Sequence, residues 1–272
     1  MRIARGISVT NTSKPISTAP AYDADASAFF TAASITDTTQ KSAVNTLVLS
    51  LKSANIWTKM KALYPVVGGS ASSHAVNLKQ PGTFNLSFAT GWTHSSTGMT
   101  PNGATYANTS VIVNTNLINN STHLSIYSRT NSNNTAAAFD IGVSNNASSF
   151  LDLSLRLNDL TYADNYNSST NRLTASNTNS QGLFINNRTS STVLKLFKNS
   201  NQLGTTLTTA SSGYSLLTTP IYIGCLNNNG TALYYTNREY AFSSIGDGLS
   251  DAEALSFYNA VQAYQTTLGR QV

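Results

Sequence analysis

Two carboxyl groups about 5–5.5 Å apart can hydrolyse a glycosidic bond with retention, and a strand supplies that spacing from residues two or four apart. The acidic residues of this chain do not offer it within one strand. Asp152 has no carboxylate two or four positions away, and Asp140 has none on its own strand. Glu239 stands alone, while Glu253 belongs to a helix cap. Nucleophilic catalysis has no firmer basis. His74, His94 and His123 lie in unrelated contexts and no G-x-S-x-G elbow occurs. His94 and Ser95 are neighbours in sequence, which is not the geometry of a triad. No His, Cys or Asp group has zinc-site spacing, and the aspartates are too dispersed for an EF-type loop. Binding fits the residues better. Strand alternation places Tyr127, Arg129, Asp140, Asp152 and Arg156 on polar sheet faces, an aromatic and planar hydrogen-bonding set of the kind sugars use. The same set also reads as an ordinary solvated face with an Asp–Arg pair worth under ~1 kcal/mol.

The elements that must position these residues follow from periodicity. Residues 1–22 are rich in Ser, Thr, Ala and Pro without a period, and read as an extended arm. Residues 23–80 read as a small helical segment. Within it Asp37 and Gln40 form a capping arrangement, and Ala43, Val44, Leu47, Val48 and Leu51 share a helix face that Ile56, Trp57 and Met60 extend. After Pro81-Gly82 the period becomes two. Phe84, Leu86 and Phe88 alternate with polar residues, as do Leu124 and Ile126 with His123, Ser125, Tyr127 and Arg129. Phe139, Ile141 and Val143 form another inward set. In Leu151–Asn158 every leucine faces one way, and Asp152, Ser154, Arg156 and Asn158 face the other. Further strands are expected at 182–185, 193–197, 221–226 and 239–245, with Asn- and Ser-rich separators such as 131–134, 165–179 and 227–230. Ser250 to Glu253 is a capping box, followed by a stripe of Ala254, Leu255, Tyr258, Val261, Tyr264 and Leu268 and a C′ glycine at Gly269. The pattern predicts a mainly β fold: a two-sheet antiparallel jelly-roll sandwich over residues 81–272, with an N-terminal helical segment and a C-terminal amphipathic helix.

Composition narrows the function classes. Charged residues make up only 10% of the 272, and Asn, Thr and Ser take their place on the surface. An exposed module meeting variable salt or sugars has such a surface, and so does a chain shaped by genomic drift. The net charge is +5 but the basic residues are scattered, so nucleic-acid binding is not expected. Cys225 stands alone in an apolar run and reads as a small buried hydrophobe. Met1 to Arg5 is basic with no apolar h-region after it, and no run approaches the ~20 residues of a membrane span. Neither a Sec signal peptide nor membrane insertion is expected.

Three pieces of the chain resemble the concanavalin A-like lectin/glucanase superfamily in its LamG-like form. Val193–Asn199 looks like the strand that ends in a y-x-N-G turn, although Ser200 stands where Gly is usual. Ile221-Tyr222-Ile223-Gly224 looks like an l-y-I-G strand. Glu239–Ile245 followed by Leu249-Ser250-Asp251-Ala252-Glu253 resembles the closing strand and L-S-D-A-E helix. Glucanases of this superfamily carry E-x-D-x-(x)-E on one strand, which this chain lacks, so the resemblance implies a non-enzymatic protein. It implies no cofactor and leaves room for a loop-held calcium, for which Asp159, Asp164 and Asp247 are the loop candidates. Ile56–Pro65 and Gln265–Arg270 resemble modules of phage virion proteins. That narrower resemblance implies a virion component (spike, fibre or decoration) made in the host cytoplasm. It would be anchored to other virion proteins through its N-terminal region, homo-oligomeric, and would display a domain for host-surface glycans. A carbohydrate-active enzyme with a non-standard site and a secreted cellular adhesin are the alternatives.

Overall fold

In the computed structural model the described residues are Met1, 22–146 and 148–272. Except for Met1 and Tyr22, the expected arm at 1–22 lies outside them. Helix α1 (Ala24–Ala32) is capped by the Asp23 carboxylate, and α2 (Thr38–Ser53) by Asp37, which accepts from the Gln40 amide. Two four-residue helices follow, α3 (Ala71–His74) and α4 (Val113–Asn116). The closing helix α5 (Asp251–Thr267) opens on a complete Ser250/Glu253 capping box. It closes on Gly269 at φ 65°, where the Gly269 amide reaches Thr266 and the Arg270 amide reaches Gln265. That double return bond needs a left-handed residue, which glycine adopts without a Cβ clash.

Two sheets form the sandwich. The first runs β13 (Asn201–Gln202), β12 (Val193–Lys198), β11 (Gly182–Ser190), β6 (Thr122–Ser128), β17 (Tyr240–Gly246), β4 (Met99–Pro101), β3 (Trp92–His94). Strand β1 (Met60–Tyr64) also pairs with β17. The second runs β10 (Leu173–Ser176), β9 (Leu160–Asn167), β8 (Phe150–Leu157), β7 (Ile141–Ser144), β14 (Pro220–Ile223), β5 (Ala107–Ile112), β2 (Ser87–Phe88). Hairpin β15 (Leu226–Asn228) and β16 (Thr231–Leu233) joins it through β7, in the parallel sense, whereas the other pairings are antiparallel. The expected jelly-roll sandwich is present.

Its core lies where alternation puts it. Leu151, Leu153 and Leu155 of β8, with Ile141, Val143, Ile221 and Ile223, meet Leu124, Ile126, Phe184, Leu194, Leu196 and Ile245 of the first sheet. Each such side chain contributes about 1.5–3 kcal/mol on leaving water. A second core covers the other face of the first sheet. There Phe29, Val44, Leu47, Val48 and Leu51 of α1 and α2, with Phe257, Val261 and Tyr264 of α5, pack on Tyr127, Leu183, Ile185 and Phe242. The molecule therefore has three layers: helices, first sheet, second sheet.

Several elements differ from the sequence reading. Met60 to Tyr64, taken into the helical segment, is a strand of the sandwich, because its Ala62 and Tyr64 face the inter-sheet core while Met60 and Leu63 face the helices. Strand β10 and the end of β9 fall in a stretch expected as a separator: on β9 Asp164, Asn165 and Asn167 are buried, so no polar–apolar alternation shows, and on β10 the alternation spans only four residues. Only Ser87–Phe88 of the expected strand at Phe84 is paired, since Phe84 has φ +55°. On α5 the stripe is rotated: Phe257 is buried and Leu255 is exposed.

Candidate functional site

The five residues assigned to a solvated polar face are not brought together, and three of them are fully buried. Tyr127 lies under α5, its hydroxyl bonded to Gln262 and to the Val272 backbone. The helix stripe had to be buried somewhere, and it chose that face of β6. Arg129 sits at the edge of the first sheet, paired with Glu239 at 2.9 Å and bonded to the Arg270 carbonyl. Asp140 is sealed in a polar knot with Arg238 at 3.0 Å, the Tyr240 hydroxyl at 2.8 Å and the Leu155 amide. Such a pair, closed off from solvent, fixes packing and offers a ligand no surface. Arg156 binds Asp159 and Asn131 at the surface.

Asp152 is different. Strands β8 and β9 form a hairpin whose two-residue turn, Asn158-Asp159, has positive φ at both positions, as a type I′ turn requires. Leu157 opposes Leu160, and an unbroken ladder would oppose Asp152 to Asn165. A bulge between Ser154 and Leu157 shifts the register by one and sets Asp152 against Asp164. Directly opposed side chains have Cβ atoms about 4.5–5.5 Å apart, so two carboxyls meet on one face. Both are fully buried. Burial, reinforced by the Asp164 charge, lifts the Asp152 carboxyl well above the usual carboxylate range; burial lifts Asp164 as well, against the pull of Arg172.

Arg172 covers the pair. Its Nε donates to Asp164 at 2.7 Å, a second guanidinium nitrogen also reaches Asp164, and Asp152 lies 3.9 Å away. Both Asp152 oxygens and the neighbouring Ser154 hydroxyl lack a hydrogen-bond partner among the described residues. Three rings surround the guanidinium: Tyr162 at 5.4 Å, Phe139 at 5.7 Å and Phe150 at 5.9 Å. Tyr234, exposed, packs on Phe139 with centroids 5.9 Å apart.

The same face continues across the sheet. Asp164, Asp152, Gly142 and Tyr222 occupy one cross-strand row, so their side chains point to one side. Tyr222 stacks flat on Tyr106 at 4.2 Å. Beyond Phe139 a pocket of about 300 Å³ is lined by residues 133–138 and Tyr235. Beside Arg172 a smaller one, about 190 Å³, is lined by Thr174, Thr205 and Thr206. The result is a band of aromatic rings over amides, hydroxyls and a charged cluster, on the face that no long helix covers.

Arg172, Phe150, Tyr162 and Tyr234 carry no site signal in the sequence, and Phe139, expected to point inward with Ile141 and Val143, lies instead on this outer face beside Arg172. The I′ turn signal at Asn158-Asp159 was available and would have brought β9 beside β8; the bulge would still have hidden the Asp–Asp pairing. The three calcium candidates do not converge. Asp159 pairs with Arg156, Asp164 with Arg172, and Asp247, in the first sheet's half, with Lys61. Among the described residues no three His, Cys, Asp or Glu side chains gather as a metal site. His94 meets His74 through Nδ1 atoms 2.9 Å apart, within the Phe88–Trp92 cluster, and is not part of a triad.

No protein-family model and no curated protein matches the chain. Solved structures do. A Trypanosoma rangeli sialidase with 2,3-difluorosialic acid aligns at TM-score 0.52 and 11% identity, over 80% of this chain and 38% of the sialidase. Botulinum neurotoxin type C, which depends on interaction with two ganglioside molecules to enter cells, aligns at 0.50 and 10%, over 77% of this chain and 53% of that one. The NanB sialidase of Streptococcus pneumoniae aligns at 0.39 and 12%, over 54% of this chain and only 26% of its own length. At these identities the likeness establishes the fold alone, a β-sandwich of two antiparallel sheets. No helix among the described residues is long and apolar enough to cross a membrane.

Proposed function

We propose that this chain is a glycan-binding sandwich module that works by adhesion without turnover, and that sugars lie on the helix-free face of the second sheet. The observation that carries this reading is the aromatic band. Tyr162, Phe150 and Tyr234 keep part of their surface in water above a floor of polar groups, and a half-exposed ring beside hydrogen-bonding side chains suits a sugar's apolar face and hydroxyl edge. Sandwiches of this shape serve a sialidase and a ganglioside-dependent toxin, which agrees with a sugar ligand. A screen of the purified chain on arrayed glycans, followed by Tyr162→Ala and Tyr234→Ala, tests it. Retention of a glycan, weakened roughly tenfold or more by either change, supports the reading; an array with no retained glycan ends it.

One observation favours an enzyme: Asp152 and Asp164 are opposed on neighbouring strands, and a retaining glycosidase works with two closely set carboxyls. Arg172 engages Asp164 through two guanidinium nitrogens, so the two acids are not both free to serve as nucleophile and acid on a glycosidic bond. Binding is therefore preferred. Release of new reducing ends from a bound polysaccharide, abolished by Asp152→Asn, would reverse that choice. We place the module on a phage particle, held through its N-terminal region as a homo-oligomer, on the strength of the resemblance at Ile56–Pro65 and Gln265–Arg270. Proteomics of purified particles that lack the chain would remove that placement and leave the sugar reading intact.

A further inference from the structure

We propose that Arg172 is a built-in occupant of a cation cage, and that the external ligand of this face carries a primary ammonium group, as a de-N-acetylated amino sugar does. This inference rests on the glycan reading and names the ligand class for that same face.

The walls of the cage are Tyr162, Phe139 and Phe150, all within 6 Å of the guanidinium carbon. Ring faces at that distance attract an organic cation and offer a hydrated metal ion nothing comparable. The floor is the Asp152–Asp164 pair. Two acids face one base, so with both ionised the cluster holds one negative charge in excess. Arg172 satisfies Asp164 and leaves both oxygens of the fully buried Asp152 without a donor among the described residues. A buried carboxylate is costly unless it takes a proton or a paired cation. Burial and the Asp164 charge raise the proton affinity of Asp152, and a second cation beside it would oppose that rise. An ammonium, with three donors on one point charge, would satisfy what the guanidinium leaves open. An anionic sugar brings no cation to take the place of the Asp152 proton and is disfavoured.

The occupant is also placed to leave. Arg172 follows a single 3₁₀ turn, Ser169–Asn171, in which no residue is buried and no side chain caps the start. The pocket lined by Thr174, Thr205 and Thr206 opens beside it and gives a displaced arginine or an arriving sugar somewhere to lie.

Calorimetry with the full chain tests the inference, using a glucosamine oligomer and the matching N-acetylglucosamine oligomer as probes. The charged oligomer should bind about tenfold or more tightly than the acetylated one, since a desolvated cation–π contact and charge pairing are both lost on acetylation. Tyr162→Leu and Asp152→Asn should each erase that preference, and Arg172→Ala should strengthen amine binding by roughly threefold to tenfold. If Arg172→Ala does not fold, the Tyr162 and Asp152 variants still decide the matter. Equal affinity for both oligomers overturns the cation cage while the sugar reading stands. So does binding of only neutral or acidic glycans on the array. Binding of a lysine-rich peptide with every glycan silent overturns both, and would make the ligand a basic protein.

Discussion

The sandwich has two outer faces that looked alike in sequence, and the structure treats them in opposite ways. On β6, His123, Ser125 and Tyr127 alternate with inward apolar residues; on β8, Asp152, Ser154 and Arg156 do the same. The β6 face is roofed by α5, and its polar groups are saturated. His123 bonds the Asp247 carbonyl and the Ser244 hydroxyl, Ser125 bonds Ser244, and Tyr127 bonds Gln262. The β8 face is roofed by a loop and one arginine, and there Asp152 and Ser154 lack partners among the described residues. Burial alone therefore does not mark the functional side. A helix laid down for stability satisfies what it covers, whereas unsatisfied groups under a short exposed turn point to a site where something else binds.

The largest test of this contrast is Arg270→Ala. That side chain is buried, forms no ion pair among the described residues, and donates to the carbonyls of Pro65, Val66 and Ala241. Removing it strips the Val66 carbonyl of its donor, leaves Pro65 with Tyr264 and Ala241 with Gln265, and unfastens the end of α5 from the first sheet. A loss of about 3–5 kcal/mol is expected in denaturant unfolding, with glycan affinity of the folded fraction unchanged. A loss below about 1 kcal/mol would show that the helix layer is not fastened there.

Next comes pH, where the two faces should respond with opposite signs. Burial under α5 pushes His123 down to about 4 from 6.5. A depressed histidine contributes stability that is present above 6.5 and lost as pH falls through about 4, on the order of 3 kcal/mol in all. Asp152 and Asp164 are raised, so their contribution is present below 3.8 and lost as pH rises through the folded value. His123→Asn should flatten the acid limb of a stability–pH curve, and Asp152→Asn the rising-pH limb. A single variant that flattens both limbs would mean that the two layers do not titrate separately.

Tyr234→Ala sharpens the comparison from the other side. The ring is 46% exposed, so unfolding free energy should move by less than about 1 kcal/mol. Glycan affinity should fall about tenfold. Equal, small effects on both would move the binding face elsewhere. The smallest effect belongs to Arg156→Ala. Its pair with a half-exposed Asp159 lies at the rim, and a change within about 1 kcal/mol in chemical melts is expected.

Much of the architecture could be read before any coordinates. The leucines of β8, the stripe of α2 and the capping box at Ser250 stand where their periods put them, because each reports a local requirement: which side is apolar, or where a helix begins. The first misreadings came where that local signal was shared. Met60–Tyr64 is apolar on both sides because it lies between two cores, so it looked helical. Asp164, Asn165 and Asn167 at the end of β9 are polar yet buried, so the stretch after them reads as loop.

The site was less legible still. Asp152 was found as an outward residue of its strand, but its partner is twelve residues on and reaches it only through a bulge that moves the register by one. Arg172 and its three rings come from four separate stretches of chain. By itself the sequence determined the strands' two sides, the helix caps and the sandwich class, since those depend on neighbours within a few residues. Tertiary structure alone decided which polar face the helices would cover and which two acids would be opposed. It also decided that an arginine would stand over them, because those outcomes depend on register and docking between segments far apart in the chain.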